Sequence, residues 1–126
     1  MSAPIDILLV EDDPAQRTLL AEVLGDAGFA VACAAGVAAA LPLIATPSLQ
    51  LVLSDFKLAD GDGLVLLREL RQRRPELSFV LLTAYGSIEH AVSALRAGAD
   101  DYLAKPFERQ ALLLAVDKAL RTLALL

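Results

Sequence analysis

The sequence has one cysteine, Cys33, and one histidine, His90. A single thiol excludes an internal disulfide framework and supplies no thiolate metal cluster. Cys33 falls in a predicted strand, where a buried core thiol is expected. No apolar run reaches the ~20 residues that a bilayer-spanning helix needs. The opening Met1-Ser2-Ala3-Pro4-Ile5-Asp6 lacks the basic start of a secretion signal, so a cytoplasmic location is the default expectation, with no membrane partner. Basic residues are in deficit. Eleven Lys and Arg against 16 Asp and Glu leave a formal charge of −5. A chain of that sign is not expected to grip nucleic acid through the phosphate backbone.

What the chain does have is apolar content: 56% hydrophobic against 21% charged over 126 residues. That favours one ordered domain, residues 1–126, with a real core. Two kinds of segment alternate. Ile5–Val10, Ala30–Ala34, Leu49–Ser54, Ser78–Leu82 and Asp100–Leu103 are short and rich in Val, Ile and Leu. Amphipathic stretches with helical spacing lie between them. The first, Pro14–Ala27, has Asp13 as N-cap, Pro14 at the first helical position and Gly28 as its stop. The second, Gly36–Ala45, contains Pro42, which kinks or shortens it. Gly63–Arg74, ended by Pro75, is the third. Ser87–Ala97, with Ser87 as N-cap and Gly98 as stop, is the fourth, and Glu108–Leu126 is the fifth.

The order is βα repeated five times, an α/β pattern. Continuous apolar strands point to a parallel sheet buried on both faces. Right-handed crossovers then build a three-layer, doubly wound domain. In such sheets ligands sit beyond the carboxyl ends of the strands. The first strand ends in Glu11-Asp12-Asp13, the third in Asp55 and the fourth in Thr83-Ala84, and Lys105-Pro106 follows the fifth. Singly, each has an ordinary explanation. Asp55 before a Gly- and Asp-rich stretch is turn chemistry, Glu11-Asp12-Asp13 favours a helix N-terminus, Thr83 is a cap and Lys105 a solvated lysine. Together on one edge, the carboxylates repel and demand compensation. A hard cation such as Mg²⁺ supplies it, as does the lysine ammonium. Carboxylate, cation, lysine and hydroxyl make a site suited to phosphoryl transfer.

The segments ILLVEDDP, VLSDFKLADGDGLVLLREL and LLTAYGSIEHAVSALRAGADDYLAKPF resemble the receiver domains of two-component response regulators. The resemblance covers residues 5–124. It implies a CheY-like, flavodoxin-like (βα)₅ fold with a five-stranded parallel sheet in the order 2-1-3-4-5. It implies that Asp55 is the phosphoacceptor for a sensor histidine kinase. Glu11 and Asp12 match the acidic pair, with Asp12, Asp55 and the main-chain carbonyl of Lys57 as Mg²⁺ ligands. Thr83 matches the hydroxyl that follows the phosphoryl group, Lys105 its ammonium partner, and Tyr102 the aromatic switch. The Lys105–Pro106 bond is usually cis in the family. The domain is expected to catalyse only its own phosphorylation and dephosphorylation, so it is not an enzyme with an external product.

The wording is most similar to receivers of NtrC-type transcription activators, in which an ATPase domain and a DNA-binding domain follow. Two expectations result: one domain of such a regulator, or a stand-alone receiver acting through protein contacts. Three positions depart from the common pattern. Glu11 replaces the more frequent Asp, Ala59 stands where Pro is frequent and is expected to loosen the loop after Asp55, and Lys57 occupies a position that faces attacking water. Lys57 also argues against an aspartyl-phosphate hydrolase of the haloacid dehalogenase type. Those enzymes need a second Asp there as general acid, a role lysine does not fill at neutral pH. A flavodoxin-type flavin site needs a phosphate-cradling loop after the first strand, and Glu11-Asp12-Asp13 repels phosphate.

On the last helix, Leu112, Val116, Ala119, Leu120 and Leu123 share a face that packs on the sheet. Leu114 and Leu125 fall among Gln110, Asp117, Lys118 and Arg121. Family members often dimerise through the fourth helix, fifth strand and fifth helix, so these two leucines are candidate contacts in a homodimer. Arg68, Arg71, Arg73 and Arg74 are expected to form a solvated face that favours the third helix's dipole. His90 is expected exposed on the fourth helix, without a role.

Overall fold

The computed structural model describes residues 4–84 and 88–124, with side chains described through Arg121. Five parallel strands form the sheet: β1 (Ile7–Val10), β2 (Val31–Ala34), β3 (Leu51–Asp55), β4 (Ser78–Thr83) and β5 (Asp101–Ala104). Their spatial order is β2-β1-β3-β4-β5, the CheY-like order. β1, β3 and β4 are buried almost throughout, as their unbroken Val/Ile/Leu content requires of interior parallel strands. β2 and β5 are the edges and are only partly covered.

Successive side chains point to opposite faces, so each central strand feeds two cores. Leu8, Val10, Val52, Phe79 and Leu81 pack with residues of α2 (Val37–Ala40), α3 (Gly63–Arg73) and α4 (Ile88–Arg96). Ile7, Leu9, Leu51, Leu53, Val80 and Leu82 pack with α1 (Pro14–Asp26) and α5 (Arg109–Ala124). Leu112, Val116 and Ala119 are the buried stripe of α5.

Local chemistry sets the helix ends. Asp13 Oδ1 accepts from the Ala15 N–H at 3.0 Å, with Pro14 next to it at the first helical position. Asp62 Oδ1 accepts from Leu64 and Val65 N–H at 2.9 and 3.1 Å, starting α3. Pro42 has no N–H to donate, and α2 stops after Ala40 and continues as a 3₁₀ turn over Leu41–Ala45. The Ser87 cap expected for α4 lies outside the described residues.

Three expectations are corrected. Cys33 is exposed, not a core thiol, because β2 is an edge strand that the helix layer only partly covers. Arg71 and Arg74 are not a solvated face. Arg71 donates to the carbonyls of Gly98 (2.9 Å) and Pro75 (3.2 Å), to that of Leu77, and to Asp100 (3.1 Å). Arg74 donates to the carbonyls of Ile44 (3.0 Å) and Thr46 (3.1 Å) and to Glu76 (2.6 Å). Long guanidinium forks here satisfy loop carbonyls that no secondary structure pairs. Arg68 and Arg73 stay exposed, Arg73 beside Glu69 at 3.2 Å. His90 is half-buried, its ring stacked on Phe56.

Candidate functional site

The carboxyl ends of β1, β3, β4 and β5 bring Glu11, Asp12, Asp55, Thr83 and Lys105 to one edge of the sheet. Glu11 follows β1 and is 1% exposed, whereas Asp12 faces solvent. Asp55 is the last residue of β3, one position beyond the expected strand end, and lies opposite Leu82 of β4. Lys105 Nζ stands 3.1 Å from Asp55 Oδ2 and 3.3 and 3.4 Å from the two Glu11 carboxylate oxygens. One ammonium thus serves two carboxylates.

That is too little positive charge. The Glu11 carboxyl is pushed up to about 8, first by burial and then by Asp55, with Lys105 pulling the other way. Glu11, Asp12 and Asp55 each offer a carboxylate oxygen, and these lie within 4.8 Å of one another. An all-oxygen, over-negative cluster open to water on the Asp12 side fits a hard divalent cation. Arg17 of α1 steadies the cluster from behind, its Nη1 donating to the Glu11 carbonyl at 2.9 Å.

Thr83 ends β4, is 2% exposed, and donates its hydroxyl to the Ala84 carbonyl at 3.1 Å. The Lys105 N–H donates to the Thr83 carbonyl at 2.7 Å, which couples the hydroxyl-bearing and lysine-bearing strand ends. The Lys105–Pro106 peptide is cis. Tyr102 pairs in register with Leu81 and is 43% exposed.

The loop after Asp55, in which Ala59 stands, is tied at two places. Lys57–Leu58 and Gly61–Asp62 form a small antiparallel hairpin. Asp60 reaches across to α2, accepting from the Val37 and Ala38 N–H groups at 2.8 and 2.9 Å. Lys57 is exposed. Gly63 lies directly against the Asp55 strand: a Cβ there would meet the Asp55 carbonyl at 2.7 Å and Leu81 Cδ1 at 3.0 Å. Any side chain at 63 would displace Asp55.

Leu114 lies apart from this site, 69% exposed on α5, and Leu125 lies outside the described residues. Sequence reasoning missed Ile88, Val92 and Leu95, which share one face of α4 and are 74%, 41% and 44% exposed. Their spacing signals an apolar face, but the small Ala91 and Ala94 are what α4 buries. It also missed Arg17, and it missed Asp60 and the Phe56–His90 stack, both interactions between segments distant in sequence.

A doubly wound 2-1-3-4-5 sheet carrying an acidic cluster and a lysine at its carboxyl edge defines a CheY-like signalling module. Residues 7–117 match the response regulator receiver domain family, and the chain belongs to it. It is 46% identical over 107 residues to the response regulator protein FleR of Pseudomonas aeruginosa, covering 85% of this chain and 23% of FleR. It is 40% identical over 116 residues to the transcriptional regulatory protein ZraR of Escherichia coli, covering 92% and 26% of the two chains. The receiver domain of NtrX from Brucella abortus superimposes with a TM-score of 0.88 at 40% identity, covering 93% of this chain and 99% of that one. These relatives are NtrC-type response regulators. The chain spans about a quarter of the length of FleR and ZraR. No described helix is long and apolar enough to cross a membrane.

Proposed function

We propose that this receiver accepts a phosphoryl group on Asp55 from the phosphohistidine of a sensor histidine kinase and uses it to switch an output face. The observation that carries the reading is the Lys105 ammonium held 3.1 Å from Asp55 Oδ2 beside a buried glutamate. An Asp55 carboxylate oxygen attacks phosphorus. The P–N bond breaks, its electron pair stays on the imidazole, and an acyl phosphate forms on Asp55. Bound by Asp12, Asp55 and the Lys57 main-chain carbonyl, with Glu11 nearby, Mg²⁺ would neutralise charge on the phosphoryl oxygens. Lys105 shifts from the carboxylates to a phosphoryl oxygen. Thr83 turns its hydroxyl from the Ala84 carbonyl to another, and the Tyr102 ring moves inward into the space this frees. The domain has no external product.

The output face runs over α4, β5 and α5, where Ile88, Val92, Leu95, Tyr102 and Leu114 are exposed. Apolar exposure on two helices beside one edge strand suits a homodimer. In the longer relatives the receiver is one part of a transcriptional regulator, and control of an effector domain is the corresponding role here. A stand-alone receiver working through the same face is the alternative. Hydrolase chemistry is disfavoured by Lys57, which stands where a general acid would be needed.

Intact mass after incubation with Mg²⁺ and acetyl phosphate tests the reading. One phosphoryl adduct is expected on the wild type and none on Asp55→Asn. No adduct on the wild type, or an undiminished one on the variant, overturns it.

A further inference from the structure

We propose that the stack of Phe56 on His90 is the contact through which the phosphorylation site sets the position of α4, making His90 a positioning residue for the output face. The inference rests on the reading of Asp55 as phosphoacceptor and adds the route by which its state reaches α4.

Phe56 is the residue immediately after Asp55. Its backbone is fixed on both sides. The Phe56 N–H donates to the Leu82 carbonyl at 2.9 Å, and its carbonyl accepts from the Gly63 N–H at 2.7 Å. Its ring packs on the core beneath α3 and α4. A backbone so held transmits a shift of Asp55 to the ring rather than absorbing it in a loose loop. The ring meets His90 with centroids 3.7 Å apart and planes 8° from parallel. Parallel rings at that distance are in direct van der Waals contact face to face, so a displacement of one toward the other is passed on.

The other end of the contact is a weakly gripped helix. The only buried residues of α4 are Ala91 and Ala94, each with a single methyl group. Its larger apolar side chains, Ile88, Val92 and Leu95, point outward. His90 is thus the large side chain of α4 that reaches an aromatic partner beside the site. A helix whose fully buried side chains are two methyl groups, with one ring stack beside the site, is readily repositioned by whatever moves the ring. The apolar face on its other side moves with it.

Hydrogen exchange of α4 amides, with and without acetyl phosphate and Mg²⁺, tests this in wild type, His90→Ala and His90→Phe, with intact mass recording the adduct. All three are expected to form the adduct, because the stack touches no reacting atom. Wild type is expected to show a change in α4 exchange on phosphorylation. In His90→Ala, α4 amides exchange about threefold to tenfold faster before phosphorylation, the factor equivalent to an aromatic stack. The phosphorylation-dependent change is lost there. His90→Phe keeps a ring at the same place and restores the change. A merely structural stack would raise exchange equally in both states and leave the difference intact, and that result overturns the proposal. So does a His90→Phe protein with adduct and no α4 response, which decides the matter even if His90→Ala fails to fold. Absence of adduct on the wild type overturns the phosphoacceptor reading instead, and this proposal with it.

Discussion

Glu11 shows how the site trades stability for chemistry. At neutral pH the Glu11 carboxyl, 1% exposed, adjacent to Asp55 and pushed up to about 8, either takes up a proton on folding or stays ionised with only the shared Lys105 ammonium to offset it, and both are unfavourable. The same excess of negative charge is what a divalent cation neutralises. Glu11→Gln should therefore act in opposite directions on the two properties. Without Mg²⁺ and with EDTA at neutral pH, the variant should melt about 5 °C higher, equivalent to about 1 kcal/mol in a domain of this size. Its Mg²⁺ affinity should fall by about tenfold to a hundredfold, as when a group that orients or supports a metal ligand is lost. Calorimetric melting and Mg²⁺ titration measure the two effects. A variant that melts lower and binds Mg²⁺ equally well would show that Glu11 serves packing alone.

Among the elements, the loop after β3 is where a single side chain substitutes for a helix cap. α2 begins at a glycine with no capping side chain of its own, and Asp60 supplies both acceptors from across the chain. These two N–H bonds hold the Asp60 carboxyl below its ordinary 3.8. The folded state therefore favours the ionised form. Asp60's contribution is fully present above pH 3.8 and is lost as pH falls through the lower folded value. Asp60→Asn should lower the melting temperature at pH 7, and the gap from wild type should close as pH falls below 3.8 through the lower folded value. A gap that persists unchanged at low pH would contradict the capping role. This contact also marks the limit of what a linear reading can see. The apolar strands, the Pro42 break and the Asp13 cap are local, and the residue pattern carries them directly. So is the arrival of carboxylates and a lysine at strand ends, because the βα alternation alone puts those ends on one edge. Asp60 on α2, Arg71 on Gly98 and Phe56 on His90 join segments 22 to 34 residues apart. Their partners are set by helix packing, which periodicity does not encode. Cys33 was misjudged for the same reason: strand order, not strand composition, puts β2 at the edge.

At the scale of the whole molecule, the two sheet edges differ in what they offer a partner. The β5 edge is flanked by α4 and α5, and both carry large exposed apolar side chains: Ile88, Val92 and Leu95 on one, Leu114 on the other. On α5, Leu114 sits among Asp117, Lys118 and Arg121, with Arg121 2.9 Å from Asp117. An apolar centre with a charged rim of both signs suits a self-complementary interface, because a two-fold axis can set the acid of one copy against the base of the other. Scattered surface leucines need no such explanation, so the decisive comparison is between sites on the face and sites off it. Under phosphorylating conditions the wild type should sediment as a dimer. Leu114→Asp should shift the equilibrium toward monomer by about tenfold or more in Kd, the loss expected when a central apolar contact becomes a buried charge. Leu19→Asp, a change to a leucine 59% exposed on α1 and outside the α4-β5-α5 face, should leave sedimentation unchanged. Equal self-association of wild type and Leu114→Asp would remove this helix from the interface. Dissociation by Leu19→Asp instead would move the interface to the α1 side.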